Sequence, residues 1–192
     1  MRTYMIDKLK RALDAGEWID YDSELRPAFQ SLLTECGFKT QRYNSTVLSA
    51  EGMHSAMEDL MGREMSGDSI VIFPFRCDLG FNIYIGKDVI VNYNCTFLDT
   101  SRITIGDHTK IGPGCHLVTA DHPRDAMERR KHAVRGIPIV IGEDCWLGAN
   151  VTVLPGVTIG DRCIIGAGSV VTKDISSDTV SVGNPAHVVK TL

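Results

Sequence analysis

A strict six-residue repeat runs through residues 141–173, and it constrains the fold more than any other feature of the sequence. Each block of six begins with an aliphatic residue, and glycine follows that residue in four of the six blocks. A strand alternates with period two and an α-helix repeats every 3.6 residues, so neither element alone explains a period of six. A chain that runs straight, turns a corner and repeats does explain it. The block heads are Ile141, Leu147, Val153, Ile159, Ile165 and Val171.

This repeat predicts that the head side chains point inward and that the glycines lie at corners, where a side chain would be costly. Hexapeptide repeats are typical of a parallel β-helix. Five of the six cysteines stand four residues after a block head, so we expect them to be small core residues rather than metal ligands. No CxxC pair is present to suggest a zinc site. The five are Cys77, Cys95, Cys115, Cys145 and Cys163.

The repeat extends towards the N-terminus with two interruptions. Its phase slips by two within residues 98–104, and a polar stretch without the rhythm separates Leu117 from Ile141. Because loops longer than about 12–15 residues are usually functional in compact domains, we predict an arm over residues 118–140. The earlier heads are Phe73, Leu79, Ile85, Val91 and Phe97, followed after the slip by Ile105, Ile111 and Leu117.

Residues 1–68 have helical periodicity and predict a helical N-terminal cap, whereas residues 69–192 predict the β-helix domain, with a C-terminal tail over residues 176–192. Capping and breaking residues mark the helix ends. They predict a first helix that Gly16 ends, a second from Asp22 or Ser23 to Gly37, and a third from near Ser49.

The charge pattern limits the classes of partner that the protein is expected to bind. The formal net charge is −4, and no basic block suggests a nucleic-acid partner. No run of 18 apolar residues suggests a membrane span, and the N-terminus is charged and amphipathic rather than a signal peptide. We therefore expect a cytoplasmic protein with no nucleic-acid and no membrane partner.

His122 is the candidate catalytic residue, because it lies at the root of the arm between Asp121 and Pro123. Proline restricts the local backbone and helps to hold the ring at a defined angle. Adjacent residues of an extended segment point opposite ways, so Asp121 need not contact the ring. A histidine in a surface loop is the alternative. No close histidine pair lies on one strand, so we expect no metal.

Six motifs together resemble the maltose and galactoside O-acetyltransferase family. That resemblance implies a mainly β fold, a left-handed parallel β-helix assembled as a homotrimer with active sites between subunits. It also implies transfer of acetyl from acetyl-CoA to a hydroxyl of a sugar or sugar-like acceptor. The motifs are PFRCDLGFNIYIG (74–86), VNYNCTFLD (91–99), TADHP (119–123), IPIVIGEDCWLGANVTVLPGVTIGD (137–161), GAGSVVTKD (166–174) and GNPA (183–186).

The resemblance also implies roles for single residues. His122 matches the catalytic histidine of the family. His187 stands where the family usually has arginine, and Lys190 is expected to replace that positive charge near the coenzyme. The acceptor side is matched by Asp78, Asn92 and Asp99, and the coenzyme side by Trp146, Ala149, Ala167, Thr172 and Lys173.

Histidine is the natural base for a sugar hydroxyl, because its ordinary pKa lies near neutral pH. No cysteine is placed as a nucleophile, so we expect direct transfer. Two alternatives remain open from the sequence. The first is a xenobiotic acetyltransferase acting on an antibiotic hydroxyl, and the second is a non-catalytic trimeric scaffold that keeps the repeat.

Overall fold

Three helices precede a β-solenoid, and a fourth lies in the arm, in the computed structural model, which describes residues 2–45 and 49–192. The helices are α1 (Arg2–Asp14), α2 (Arg26–Ser45), α3 (Ala50–Met61) and α4 (Ala126–Arg129). The predicted start of α3 is confirmed, because the Ser49 hydroxyl accepts a hydrogen bond from the backbone N–H of Gly52 at 3.1 Å. A serine at this position satisfies a backbone donor that the first helical turn leaves free.

Helix α2 differs from the sequence prediction at both ends. It begins at Arg26 rather than at Asp22 or Ser23, and it continues through Gly37 to Ser45. Glycine weakens a helix interior, but burial of one face of this helix outweighs that local preference. The buried residues are Phe29, Cys36, Thr40 and Tyr43.

Eighteen short strands, joined by turns and loops, lie between residues 70 and 191. In chain order they are β1 (Ile70–Val71), β2 (Phe75–Cys77), β3 (Ile83–Ile85), β4 (Ile90–Val91), β5 (Cys95–Leu98), β6 (Ile103–Ile105), β7 (Lys110–Ile111), β8 (His116–Val118), β9 (Ala120–Asp121), β10 (Arg135–Gly136), β11 (Ile139–Ile141), β12 (Trp146–Leu147), β13 (Thr152–Val153), β14 (Thr158–Ile159), β15 (Ile164–Ile165), β16 (Val170–Val171), β17 (Thr179–Gly183) and β18 (Ala186–Thr191).

All of these strands except β9 and β10 stack into three sheets, which we call faces 1, 2 and 3. Face 1 has the order β1-β4-β7-β12-β15-β17-β18, face 2 has β16-β13-β8-β5-β2, and face 3 has β14-β11-β6-β3. Within these faces every strand pair is parallel except β17 with β18, so each coil of the chain passes through the three faces in turn. The predicted mainly β, parallel β-helix is confirmed.

Two predicted block heads at the N-terminal end are wrong. Phe73 is 44% exposed at the corner between faces 1 and 2, and Leu79 packs with the helices. The strand register instead aligns Val71 with Val91 and Cys77 with Phe97. The phase therefore slips by two in the first coil as well. Both slips fall at the corner between faces 2 and 3.

The corner glycines are required by the close stacking of successive coils. A Cβ on Gly112 would lie 2.8 Å from the backbone nitrogen of Ala149, and one on Gly148 would lie 2.7 Å from that of Ala167. Such distances are shorter than van der Waals contact, so a side chain would push the coils apart. The predicted placement of glycine at corners is confirmed at these positions.

The hydrophobic core continues across the helical cap. One cluster fills the solenoid and includes Tyr43 of α2 and Met57 of α3. A second cluster joins α1 and α2 to the arm through Val134, and Leu79 belongs to it. The helices therefore cover the first coil and also support the arm. Four of the solenoid cysteines are fully buried as predicted, whereas Cys77 is half-buried and occupies a head position.

The arm is inserted where the phase slips occur. The chain leaves face 2 after β8 and re-enters face 3 at β11, and in between β9 pairs antiparallel with β10. The C-terminal tail turns at Gly183 to Ala186, so that β18 adds an antiparallel strand to face 1. None of the helices among residues 2–45 and 49–192 is long and apolar enough to cross a bilayer.

Candidate active site

His122 lies directly after β9, at the root of the arm. Its Nδ1 atom is 2.8 Å from the backbone oxygen of Ala133. A carbonyl oxygen only accepts, so this contact places the proton on Nδ1 and leaves Nε2 with a free lone pair. The side chain is exposed, and Nε2 is thus available as a proton acceptor.

Asp121 fixes the backbone of the arm rather than the ring. Its Oδ1 atom accepts a hydrogen bond from the backbone N–H of His122 at 2.9 Å. Its Oδ2 atom accepts from Nε and Nη2 of Arg135 at 3.1 and 2.9 Å. The expectation that Asp121 need not be the partner of the imidazole is confirmed.

A groove of about 480 Å³ brings His122 together with Asp78. Apolar side chains form much of its lining, and Arg26 of α2 and Arg129 of the arm add positive charge. The sequence did not single out three of the lining residues as site residues, because no local spacing links α2 to the arm. They are Arg26, Arg129 and His132. The remaining lining residues are Phe29, Leu33, Leu98, Thr100, Ala120 and Val134.

Asp99 lies beneath this groove and is fully buried. Its carboxylate accepts backbone hydrogen bonds from Asp78 at 3.0 Å, Leu79 at 2.8 Å and Asn82 at 3.3 Å. Burial nevertheless raises the pKa of Asp99 to about 7, because loss of water outweighs the three amide donors. Burial also raises the pKa of Asp78. The burial of Asp99 favours a role in holding the loop of Asp78 over direct contact with an acceptor.

Asn92 lies at a different corner from His122. It follows β4 at the corner between faces 1 and 2, whereas His122 and Asp78 lie at the corner between faces 2 and 3. Its side-chain oxygen accepts a hydrogen bond from the backbone N–H of Tyr93 at 2.9 Å. One chain alone therefore does not bring Asn92 to the groove.

The residues expected to contact coenzyme A also lie in different parts of one chain: on face 1 and at the same two corners. Trp146 is 57% exposed on face 1, and Ala149 and Ala167 lie at the corner that carries Asn92. Thr172 and Lys173 are exposed at the corner from which the arm leaves. Lys190 lies on β18 in register with Val180, so it belongs to face 1 together with Trp146.

Within residues 2–45 and 49–192, no group of three or more His, Cys, Asp and Glu side chains is arranged to hold a metal ion. The ionisable side chains that line the groove are two imidazoles, one carboxylate and two guanidinium groups. An imidazole with a fixed tautomer and an exposed Nε2 can remove a proton from a hydroxyl in the groove.

Comparison with known proteins is consistent with this geometry. The bacterial transferase hexapeptide family (six repeats) matches residues 138–173. Nodulation protein L of Rhizobium meliloti is 44% identical over 163 residues, which cover 84% of this chain and 88% of that protein. The sequence similarity to this relative therefore extends beyond the repeat to most of the chain.

Two solved structures have the same fold. A maltose O-acetyltransferase from Clostridium difficile is 37% identical with a TM-score of 0.84, and the match covers 95% of this chain and 96% of that one. A hexapeptide-repeat acetyltransferase from Vibrio cholerae, solved in complex with acetyl-CoA, is 32% identical with a TM-score of 0.81, over 96% and 98% of the two chains. The chain belongs to the hexapeptide-repeat acetyltransferases and is an acetyl-CoA-dependent acyltransferase.

Proposed function

We propose that the protein transfers the acetyl group of acetyl-CoA to a hydroxyl of a sugar or sugar-like acceptor, with His122 as general base. The observation that carries this proposal is the hydrogen bond from Nδ1 of His122 to the backbone oxygen of Ala133. That bond keeps the proton on Nδ1, so that Nε2 of this groove-lining residue is free to act as a base.

In the proposed reaction, Nε2 of His122 removes the hydroxyl proton while the acceptor oxygen attacks the thioester carbonyl. The tetrahedral intermediate collapses when the carbon–sulfur bond breaks, and the imidazolium returns its proton to the departing thiolate. Backbone N–H groups at a solenoid corner, or the side-chain amide of Asn92, stabilise the oxyanion. Direct transfer agrees with the burial of the solenoid cysteines Cys95, Cys115 and Cys145 inside the core.

The groove supports a sugar-like acceptor. It combines the Asp78 carboxylate, which can accept hydrogen bonds from sugar hydroxyls, with apolar lining residues such as Phe29 and Leu33, which can pack against a sugar ring. The similar structure from Clostridium difficile carries the name maltose O-acetyltransferase, which supports the same class of acceptor.

We also propose a homotrimer in which each site is shared by two subunits. In one chain, the two corners that carry the expected site residues lie at opposite ends of the face 2 strands. Packing the corner of Asn92 and Ala149 from one subunit against the arm corner of the next would complete the site. Trp146 then offers an aromatic surface for the coenzyme, and Lys173 and Lys190 offer positive charge for its phosphates.

A cytoplasmic location completes the proposal. All six cysteines are free thiols, although Sγ of Cys36 and Sγ of Cys77 are only 3.5 Å apart. Cysteines that remain free thiols are typical of a reducing compartment.

The test is His122→Ala, measured by release of coenzyme A with a panel of mono- and oligosaccharides. We expect kcat to fall by roughly 10²–10⁴ while the KM for acetyl-CoA stays unchanged, because only proton transfer is removed. His108→Ala is the matched control, since His108 is an exposed histidine of the solenoid that pairs with Asp88. Full turnover by His122→Ala would refute the assignment of the base.

A further inference from the structure

We propose that Arg26 of α2 is a positioning residue for His122, acting through the arm backbone that orients the imidazole. This inference rests on the proposed role of His122 as the base. The guanidinium does not act on the reacting atoms in this proposal. Its function is to hold the peptide that precedes Ala133, whose carbonyl oxygen accepts the Nδ1 proton.

The arm segment around Ala133 is held on both sides by the chain that leads into α2. Ile19 and Val134 exchange two backbone hydrogen bonds, of 2.8 and 3.1 Å. The backbone N–H of Tyr21 donates to the oxygen of Lys131 at 3.1 Å. The orienting carbonyl thus lies between two residues that the N-terminal segment pairs with directly.

Arg26 contacts His132, which lies with Ala133 between those pairings. Its Nη1 atom donates to the backbone oxygen of His132 at 3.1 Å. The same guanidinium lies 5.0 Å from the ring centroid of Tyr21, which in turn lies 4.5 Å from the ring of His132. Arg26 therefore joins α2 to the arm by a hydrogen bond and, through Tyr21, by a tilted pair of aromatic rings.

The backbone at His132 needs such support. Its φ of 54° places a non-glycine residue in the left-handed region, which is unfavourable for residues with a Cβ. The carbonyl that Arg26 binds belongs to the peptide between His132 and Ala133. A change in the orientation of that peptide moves the next carbonyl, which is the one that holds His122.

The contacts of Arg26 fit this role, whereas pairing with a carboxylate does not account for its position. Within the described part of the chain, no ion pair to a carboxylate involves Arg26. Its polar partners are backbone oxygens of Ile19 and His132, at 3.5 and 3.1 Å. Removing the guanidinium is thus expected to act on the arm rather than on a neighbouring acid.

The experiment compares Arg26→Gln and Arg26→Lys with the wild type by two independent measurements. The first is steady-state acetyl transfer, with kcat and the KM for acetyl-CoA determined separately. The second is nitrogen NMR of protein labelled at histidine, in which His122→Ala assigns the Nδ1–H signal of His122. Arg162→Gln is the matched control, because Arg162 pairs with Asp178 at another corner of the solenoid.

We expect Arg26→Gln to lower kcat by about 10- to 100-fold with little change in the KM for acetyl-CoA. A misplaced base slows proton transfer, but it leaves the contacts that bind acetyl-CoA in place. We also expect faster exchange of the Nδ1–H proton, and partial recovery of both properties in Arg26→Lys. An unchanged Nδ1–H signal in Arg26→Gln would overturn the inference, whatever happens to kcat. If the wild type proves inactive while the signal of Arg26→Gln changes, the positioning stands and the proposed function fails.

Discussion

Replacing Asp99 with asparagine is expected to remove a dependence of stability on pH. The Asp99 carboxylate is buried beneath the groove and accepts backbone hydrogen bonds from Asp78 and Leu79 through one oxygen. Asparagine keeps that oxygen as an acceptor but has no ionisable proton. The substitution therefore preserves the main contacts of the side chain and removes its titration.

The magnitude follows from the shift in pKa. Burial raises the pKa of Asp99 from its usual 3.8 to about 7, so the folded chain retains a proton that the unfolded chain has lost. This contribution to stability is fully present below pH 3.8 and is lost as the pH rises through about 7. Since each pH unit corresponds to about 1.4 kcal/mol, we expect a loss of about 2 kcal/mol between pH 5 and pH 7.

Urea unfolding at pH 5, 6, 7 and 8 measures this loss, with the protein concentration held constant because assembly also affects stability. The quantity of interest is the pH dependence of the wild type minus that of Asp99→Asn, since other titrating groups cancel in the difference. Equal pH dependence in the two proteins would refute the reasoning. It would show that the three amide donors keep the carboxylate ionised despite its burial.

The remaining predictions concern coil stacking and subunit sharing. Gly148→Ala is expected to lower the free energy of unfolding by about 1–3 kcal/mol, because its Cβ would lie 2.7 Å from the Ala167 nitrogen. Gly67→Ala, which meets no atom within 4 Å, is the control in the same denaturation assay, and equal stability of the two variants would contradict the stacking argument. Mixing His122→Ala with Asn92→Ala subunits is expected to restore about one quarter of the wild-type sites, if each site takes one residue from each of two neighbours. Activity of the mixture no higher than that of either variant alone would contradict shared sites.

Most of the solenoid could be predicted from the sequence, because its core is built by local repetition. An inward side chain every six residues marks each face, so Ile141 to Val171 were placed by counting alone. The first coil was misread since Phe73 and Leu79 are apolar at the expected spacing, although neither points into the solenoid core. Apolar character alone does not distinguish a core residue from one that packs under a helix.

The end of α2 was also misread for a physical reason. Gly37 is a local signal for helix termination, but Cys36 and Thr40 on its buried face pack against Cys77 of the first coil. Burial against a distant strand outweighs the glycine, because tertiary contacts contribute more to helix stability than intrinsic preference does. No neighbouring residue in the sequence carries that information.

The sequence by itself determined the repeat, the arm and the candidate base His122, because each depends on residues close together in the chain. Only the tertiary structure decided that Arg26 reaches the arm, that Asp99 is buried, and that Asn92 faces a different corner. These are contacts between segments far apart in the chain, and their formation depends on how α2 and successive coils pack. The spacing of residues in the sequence determines the direction in which a side chain points, whereas the packing of distant segments determines which residues that side chain contacts.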